Sequence, residues 1–140
     1  MGKKYLIDTC AVIKYLEEIF PPEALAFIDT VVDENSIVSF ITKIELLAWS
    51  PPIDGDITIR KEFLGGSEIL YITDEVIEKT IQIRKETNLK LPDSVIAATA
   101  MTYNFVLLSD NDKDFLKVEP LGLKYINPKT AFNKETDQPS

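Results

Sequence analysis

Histidine is absent from this sequence, and that gap removes more chemistry than any other feature of its composition. Without imidazole there is no Ser-His-Asp or Cys-His nucleophile pair, and no zinc site that depends on histidine. Cysteine occurs once, as Cys10. No internal disulfide can form, so a reducing cytoplasm is the expected setting. With no base nearby, Cys10 reads as a small buried hydrophobe. Apolar runs of about 18 residues are also missing, so no membrane span is expected. Asp8 interrupts the first apolar stretch too early for a secretory signal. Positive charge is scarce: 15 Lys and Arg against 23 Asp and Glu leave a net charge of -8. That balance argues against capture of a long nucleic acid on a basic face. It does not exclude a nuclease, because acidic charge gathered at a metal site is neutralised there by the ion. Carboxylate, amide, hydroxyl and lysine remain for chemistry.

What is present suits a folded enzyme. Hydrophobic residues at 45% and charged residues at 27% match an ordinary globular chain rather than a disordered one. A length of 140 residues fits one domain, which buries roughly two-thirds of its unfolded surface. The expected organisation is a single domain over residues 1–130 and a polar, frayed tail over 131–140.

Tyr5-Leu6-Ile7-Asp8-Thr9 organises the rest. A short apolar run that stops at an acid reads as a central strand of a parallel sheet, with Asp8 at its carboxyl end. Ligands collect at that edge of open α/β sheets. The following helix has Val12, Tyr15 and Leu16 on one face, and a second helix runs from Pro22 or Glu23 to about Asn35. Residues 36–40 form a strand. Thr42-Lys43-Ile44-Glu45 has the form of a capping box opening a helix whose buried face is Ile44, Leu47 and Ala48, closed by Pro51-Pro52. Residues 53–66 read either as a helix closed by Gly65-Gly66 or as a loop or lid. A strand at 68–72 follows, then a helix capped by Thr73 with Val76, Ile77, Thr80, Ile81 and Ile83 turned inward. From Asp93 to Met101 the side chains are small and apolar on nearly all sides, so that helix belongs at the centre. Strands at 105–108 and 123–126 complete the alternation. The fold class is α/β, a three-layer α/β/α sandwich around a parallel sheet of four to five strands.

The acids fall at the strand-to-helix junctions. Asp8 ends a strand, Glu45 lies in the first turn after one, Asp93 opens a helix, and Asp110, Asp112 and Asp114 follow a strand. Right-handed crossovers put these junctions on one edge of the sheet. Each acid also has a purely structural explanation: Asp8 and Asp112 as helix caps, Glu45 as half of a capping box, Asp93 as an anion favoured by the helix dipole. Their conjunction favours function. Two like charges about 4 Å apart repel by roughly 4 kcal/mol at an effective dielectric of 20, and a divalent cation removes the conflict. Carboxylates without histidine or thiolate favour Mg²⁺ or Mn²⁺ over zinc. One such ion or a pair can activate water for in-line attack on a phosphodiester. A calcium loop of the EF-hand kind over Asp110-Asn111-Asp112-Lys113-Asp114 fails because Phe115 stands where that loop needs glycine, and Leu121 where it needs glutamate.

Four stretches in this order resemble a known family: Tyr5 to Thr9, Ser39 to Glu45, Leu91-Pro92-Asp93-Ser94-Val95-Ile96-Ala97-Ala98-Thr99-Ala100, and Leu107-Leu108-Ser109 leading to Asp114-Phe115. The chain resembles the PIN-domain ribonucleases, most closely the VapC-type toxins of prokaryotic toxin–antitoxin pairs, over about residues 3–130. That resemblance implies endoribonuclease activity on RNA, a Mg²⁺ or Mn²⁺ site, a homodimer, and neutralisation by a small antitoxin in a groove near the active site. Carried over residue by residue, the family acids fall on Asp8, Glu45 and Asp93, with Thr9 and Ser109 at the flanking hydroxyl positions. Counting from the Ala-Ala-Thr-Ala helix puts the fourth position on Asn111, whereas matching the D-x-D-F ending puts it on Asp112. Asp112 is preferred, with Asp110 and Asp114 as alternatives. Family members often carry a basic residue just after Ser109, where this chain has Asp110. Lys43 and Lys90 are the candidates for holding backbone phosphates. Two other readings compete. One is a non-catalytic PIN-like module that only binds a protein. The other is a phosphatase with an aspartyl nucleophile at Asp8, which needs an acid where this chain has Cys10.

Overall fold

A computed structural model of the protein describes residues 2–48 and 54–132. Pro51-Pro52 and the polar tail from residue 133 onward lie outside the described residues. Among the described residues, five short strands, β1 Tyr5–Ile7, β2 Ile37–Ser39, β3 Glu68–Leu70, β4 Val106–Leu108 and β5 Lys124–Ile126, pair only in parallel. They make a three-stranded sheet in the order β1-β4-β5 and a two-stranded one, β2-β3. β2 lies beside β1 without sharing a ladder. The expected parallel sheet is therefore present, with its hydrogen bonding interrupted at one seam. The chain first builds outward from β1 through β2 to β3 and then returns to the other side of β1 for β4. That reversal leaves a crevice at the carboxyl ends of β1 and β4.

Successive strand residues point to opposite faces, so each central strand feeds two cores. Leu6, Ile37 and Leu107 join a core with Val76 and Ile83 of α5 (Asp74–Glu86) and Ile96, Ala97 and Ala100 of α6 (Leu91–Tyr103). Ile7, Val38 and Leu108 join another with α1 (Thr9–Leu16), α2 (Pro22–Asn35), α3 (Phe40–Ala48) and α4 (Asp54–Gly65), through Val12, Ile28, Leu46 and Leu64. This is the anticipated α/β/α sandwich, and α4 resolves the choice between helix and lid over residues 54–65 in favour of helix. Among the described residues no helix is long and apolar enough to cross a membrane.

The small-sided helix is central, as expected. Every residue over 94–100 of α6 is buried. Pro92 near its start supplies preset helical φ, and Asn104 ends it in the left-handed region at φ 58°. The amides of Asn104 and Phe105 then bond Met101 and Ala100 carbonyls at 3.2 and 2.8 Å, closing the helix and aiming the chain into β4.

Two buried faces differ from expectation. In α3 it is Thr42 and Leu46 that are buried, while Ile44 is 57% and Leu47 37% exposed, and Ala48 is exposed too. The helix begins at Phe40 directly on the end of β2, and Ser39 Oγ takes the Ile41 amide at 3.1 Å. With no linker, the inward face shifts, and Thr42 sits inside the first turn instead of capping it. In α5, Val76, Thr80 and Ile83 are buried but Ile77 and Ile81 are not. Its neighbour α6 presents small side chains, so the contact between them is a narrow i, i+4, i+7 stripe. Thr73 caps α5 as anticipated, accepting the Val76 amide at 3.2 Å.

Candidate active site

At the carboxyl ends of β1 and β4 lies a cleft of about 490 Å³. Asp8, Thr9, Cys10, Glu45, Asp93 and Asn111 line it, with Ile13 and Glu17 of α1 and Arg60 of α4. Acids carried by β1, α3 and α6 thus meet in one place.

Asp8 follows β1 and occupies the N-cap position of α1, yet its side chain caps nothing. Instead Oδ2 accepts from Ser109 Oγ at 2.8 Å and Cys10 Sγ at 2.9 Å. Ser109 stands at the end of β4, so the β1–β4 pairing is what places donor against acceptor. Burial raises the Asp8 carboxyl above its ordinary range, opposed by the Cys10, Ser109 and Thr9 bonds and reinforced by Glu45.

Cys10 is half-buried rather than a plain hydrophobe. Its sulfur is also 3.2 Å from Asp110 Oδ1. Burial and the Asp8 charge push the thiol up, so it stays protonated and acts as a donor. Lys14 of α1 forms an ion pair with Asp110. Burial works against ionisation of Asp110, but the Lys14 and Cys10 bonds outweigh it and hold that carboxyl low. Asp110 is therefore turned to Lys14 and Cys10, and it does not line the cleft.

Glu45 does not reach back to complete a capping box. Its Oε1 accepts from Thr9 Oγ1 at 2.6 Å. Thr9 Oγ1 lies 2.9 Å from Thr42 Oγ1. A hydroxyl carries one proton, so Thr42 donates to Thr9 and Thr9 to Glu45. Thr42 is buried for that purpose, at the base of the chain of bonds.

Asp93, in the first turn of α6, is pushed up to about 6, first by burial and then by the charges of Asp8, Asp114 and Glu45, with Lys90 opposing. One carboxyl feels three others. Asp114 lies in the turn α7 (Asp112–Phe115), where its Oδ2 accepts from Asn111 Nδ2 at 3.0 Å. Asn111 is the cap of that turn, taking the Asp114 amide at 3.4 Å. Asp112 is engaged elsewhere. Its Oδ1 accepts from Tyr125 OH at 2.6 Å and Asn127 Nδ2 at 3.0 Å, and it does not line the cleft.

The sequence anticipated Asp8, Thr9, Glu45, Asp93 and Asn111 in this neighbourhood, and all five line the cleft. It missed Cys10, read as a buried hydrophobe, and Ile13, Glu17 and Arg60. Ile13 and Glu17 follow Thr9 at intervals of four residues, a helical spacing that carries a signal. Arg60 lay in the segment with two readings and offered none. Neither Lys43 nor Lys90 is among the lining residues. Among the described residues no three of the acids, nor Cys10 with two of them, stand as a ready-made ligand set for a metal ion. The carboxylates offer hard oxygen and the Cys10 thiol stays protonated, however, and Asp93 carries a charge conflict that a cation would relieve. Such a set fits Mg²⁺ or Mn²⁺ that retains several waters.

A three-layer parallel sheet with acids gathered at the β1–β4 crevice defines a class, and comparison with known proteins gives it a name. The PIN domain model matches residues 5–120, and the chain belongs to that family. Within the family, it is 31% identical over 110 residues to "Ribonuclease VapC" of Rickettsia bellii (strain RML369-C), an overlap of 76% of this chain and 72% of that protein. Among solved structures, a toxin–antitoxin complex from Klebsiella pneumoniae superposes with a TM-score of 0.65 at 25% identity, covering 89% of this chain and 98% of that one. The DNA-bound VapBC of Salmonella typhimurium gives a TM-score of 0.77 at 21% identity, over 91% and 99% of the two chains, a likeness of fold.

Proposed function

We propose that the protein is a Mg²⁺- or Mn²⁺-dependent endoribonuclease that hydrolyses RNA phosphodiesters, and that it is the toxin of a toxin–antitoxin pair. The observation that carries this reading is the convergence of Asp8, Glu45 and Asp93 on one cleft, with Asp93 displaced to about 6 in part by the other acids. The relative called a ribonuclease and the complex called toxin–antitoxin support it.

When bound, the ion supplies activation of water and stabilisation of the leaving oxygen. The residues supply placement. Ser109 and Cys10 fix one oxygen of Asp8, Thr42 and Thr9 fix Glu45, and the buried run of α6 seats Asp93. Asp114 takes the place of fourth acid in this reading, because its charge reaches Asp93, whereas Asp112 is held by Tyr125 and Asn127. Water is the attacking group. It forms one bond to phosphorus as the ester bond breaks, leaving a phosphomonoester and a hydroxyl.

A homodimer and an antitoxin belong to the same proposal. Exposed apolar side chains on α3 (Ile44, Leu47), after β3 (Tyr71, Ile72) and on α5 (Ile77, Ile81) are surface that protein partners would cover. The cytoplasm is the proposed location. The net charge of -8, and among the described residues the lack of a preassembled ligand set, favour the second reading, a protein-binding module without catalysis. The experiment is Mg²⁺-dependent cleavage of RNA by the wild type, Asp8→Asn and Asp93→Asn. Loss in both variants is expected, and equal activity in all three would end the assignment.

A further inference from the structure

The net charge of -8 conceals a local reversal. At the amino ends of β1, β4 and β5, on the edge of the sheet opposite the acids, two hollows of about 410 and 990 Å³ flank the chain over residues 2–5. The larger carries three lysines, Lys3, Lys4 and Lys124, against one acid, Glu119. The smaller shares Lys3 and Lys4 and adds Glu34. The cleft at the other edge is lined by Asp8, Glu17, Glu45 and Asp93, and their field repels a phosphate chain. Capture of an anionic strand is therefore better served where the lysines are.

Strand register assembles this edge. Tyr5 pairs with Val106 and Val106 with Lys124, and the Val106 amide donates to the Lys4 carbonyl at 2.9 Å. Lysines from the two ends of the fold thus share one wall. All three are exposed. Among the described residues the side chains of Lys3 and Lys4 make no ion pair or hydrogen bond. Lys124 gives one N–H to Asn104 Oδ1 at 2.9 Å and keeps two of its three. Between the lysines, the half-buried rings of Tyr5 and Phe105 line the larger hollow. Each ring is held from behind: Tyr5 packs edge-on against Phe27 at 5.5 Å, and Phe105 stacks on Tyr103 at 5.6 Å and 23°. Cations interleaved with fixed aromatic rings are the means by which proteins hold single nucleic-acid strands, phosphates on the first and bases on the second.

We infer that the amino edge of the sheet is a second binding site for RNA: Lys3, Lys4 and Lys124 pair with phosphates of a single strand whose bases lie against Tyr5 and Phe105. The inference rests on the nuclease reading for the choice of RNA as the strand, and not for the existence of the site. Along β1 the two edges are only about 10 Å apart, so a strand held at one is concentrated near the other. The rival role for these lysines is simple solvation of the surface, which predicts no dependence of RNA binding on them beyond overall charge.

The test uses the full chain and a fluorescent single-stranded RNA of mixed sequence in EDTA, where binding is read by anisotropy without metal-dependent cleavage. The triple variant Lys3→Gln, Lys4→Gln, Lys124→Gln should lower the slope of log Kd against log salt by about 2, at about 0.7 for each phosphate contact on a single strand. The same slope makes each contact worth about 5-fold at ~0.1 M salt, so the three together should weaken binding about 100-fold. A charge-matched control, Lys61→Gln, Lys79→Gln, Lys85→Gln on α4 and α5, should leave the slope unchanged, because screening at that salt confines a charge to about 10 Å. Unchanged affinity and slope in the first variant, or an equal loss in the control, would overturn the inference and leave the nuclease reading intact. A polyglutamate peptide that displaces the RNA at equal charge concentration would overturn the assignment to nucleic acid, since the rings would then add nothing. Should the first variant not fold, the ring resonances of Tyr5 and Phe105 in the wild type are followed by NMR during RNA titration. Shifts that saturate with binding support the site, and unmoved resonances at saturation overturn it. Lysine-dependent binding in a protein that cuts no RNA with Mg²⁺ would remove the nuclease reading and keep this site.

Discussion

Replacing Asp93 by asparagine should make the metal-free protein more stable while abolishing its chemistry. Asp93 is pushed from 3.8 to about 6 in the fold. A carboxyl raised in this way contributes stability that is fully present below the unfolded value and is lost as pH rises through the folded one. The window is therefore about pH 4 to 6, and above it the ionised group opposes folding. For a fully buried group the gap corresponds to ~3 kcal/mol, at about 1.4 kcal/mol per pH unit. Asp93 is only half-buried, and screening by solvent reduces this to about 1–1.5 kcal/mol. For a chain of this length, that is a rise in Tm of about 3–6 °C. The assay is urea and thermal unfolding in EDTA. Asp93→Asn should exceed the wild type near neutral pH and match it below about pH 4. With Mg²⁺ the order should shrink or reverse, because ligand binding stabilises the protein that binds it. A variant no more stable than wild type in EDTA, or an advantage of the same size at every pH, would refute the reasoning that burial, reinforced by the neighbouring acids, makes the ionised Asp93 oppose folding.

Ser109→Ala removes a donor from buried Asp8 and should lower Mg²⁺ affinity by about 10- to 100-fold, read by calorimetry. Asp112→Asn should cost on the order of 1 kcal/mol of stability through its Tyr125 and Asn127 bonds and leave most RNA cleavage intact; Asp114→Asn should do the reverse, and equal losses of cleavage would restore Asp112 as the fourth acid. Lys14→Met breaks the pair with Asp110 at a partly exposed position and should change stability by less than about 1 kcal/mol in denaturant titration. Ala98→Leu in α6 should destabilise by about 1–3 kcal/mol or more by overpacking, seen as a lowered urea midpoint.

The parts of this molecule that sequence revealed are those governed by local chemistry. Apolar runs that stop at Asp8 and Ser109 marked strand ends, and the run of small residues after Asp93 marked a helix enclosed on all sides. Their meeting at one edge followed from the handedness of crossovers. What sequence hid depended on orientation. Thr42-x-x-Glu45 has a capping pattern, but its start on the last residue of β2 turned Thr42 inward and made it the foot of a bond chain to Glu45. Ile77 and Ile81 fit an apolar face whose width is set by the neighbouring helix, not by α5 itself. Asp112 and Asp114 are indistinguishable by spacing, and the bonds that engage Asp112 come from Tyr125 and Asn127, which lie more than ten residues downstream. Arg60 sits in a stretch whose Ile57-Thr58-Ile59 weakened the helical reading, so nothing local pointed to the cleft.

The pairing of Tyr5 with Val106 and Ile7 with Leu108 has a consequence for the cell that makes this protein. A nascent chain on the ribosome holds Asp8 and Glu45 early, but the seam that positions Asp8 needs a strand translated more than ninety residues later. Until β4 leaves the exit tunnel, the partner strand is missing and the acids have no common address. A copy interrupted before β4 thus carries two of the acids with no assembled cleft to hold them, and whatever chemistry the site performs waits for the later strand.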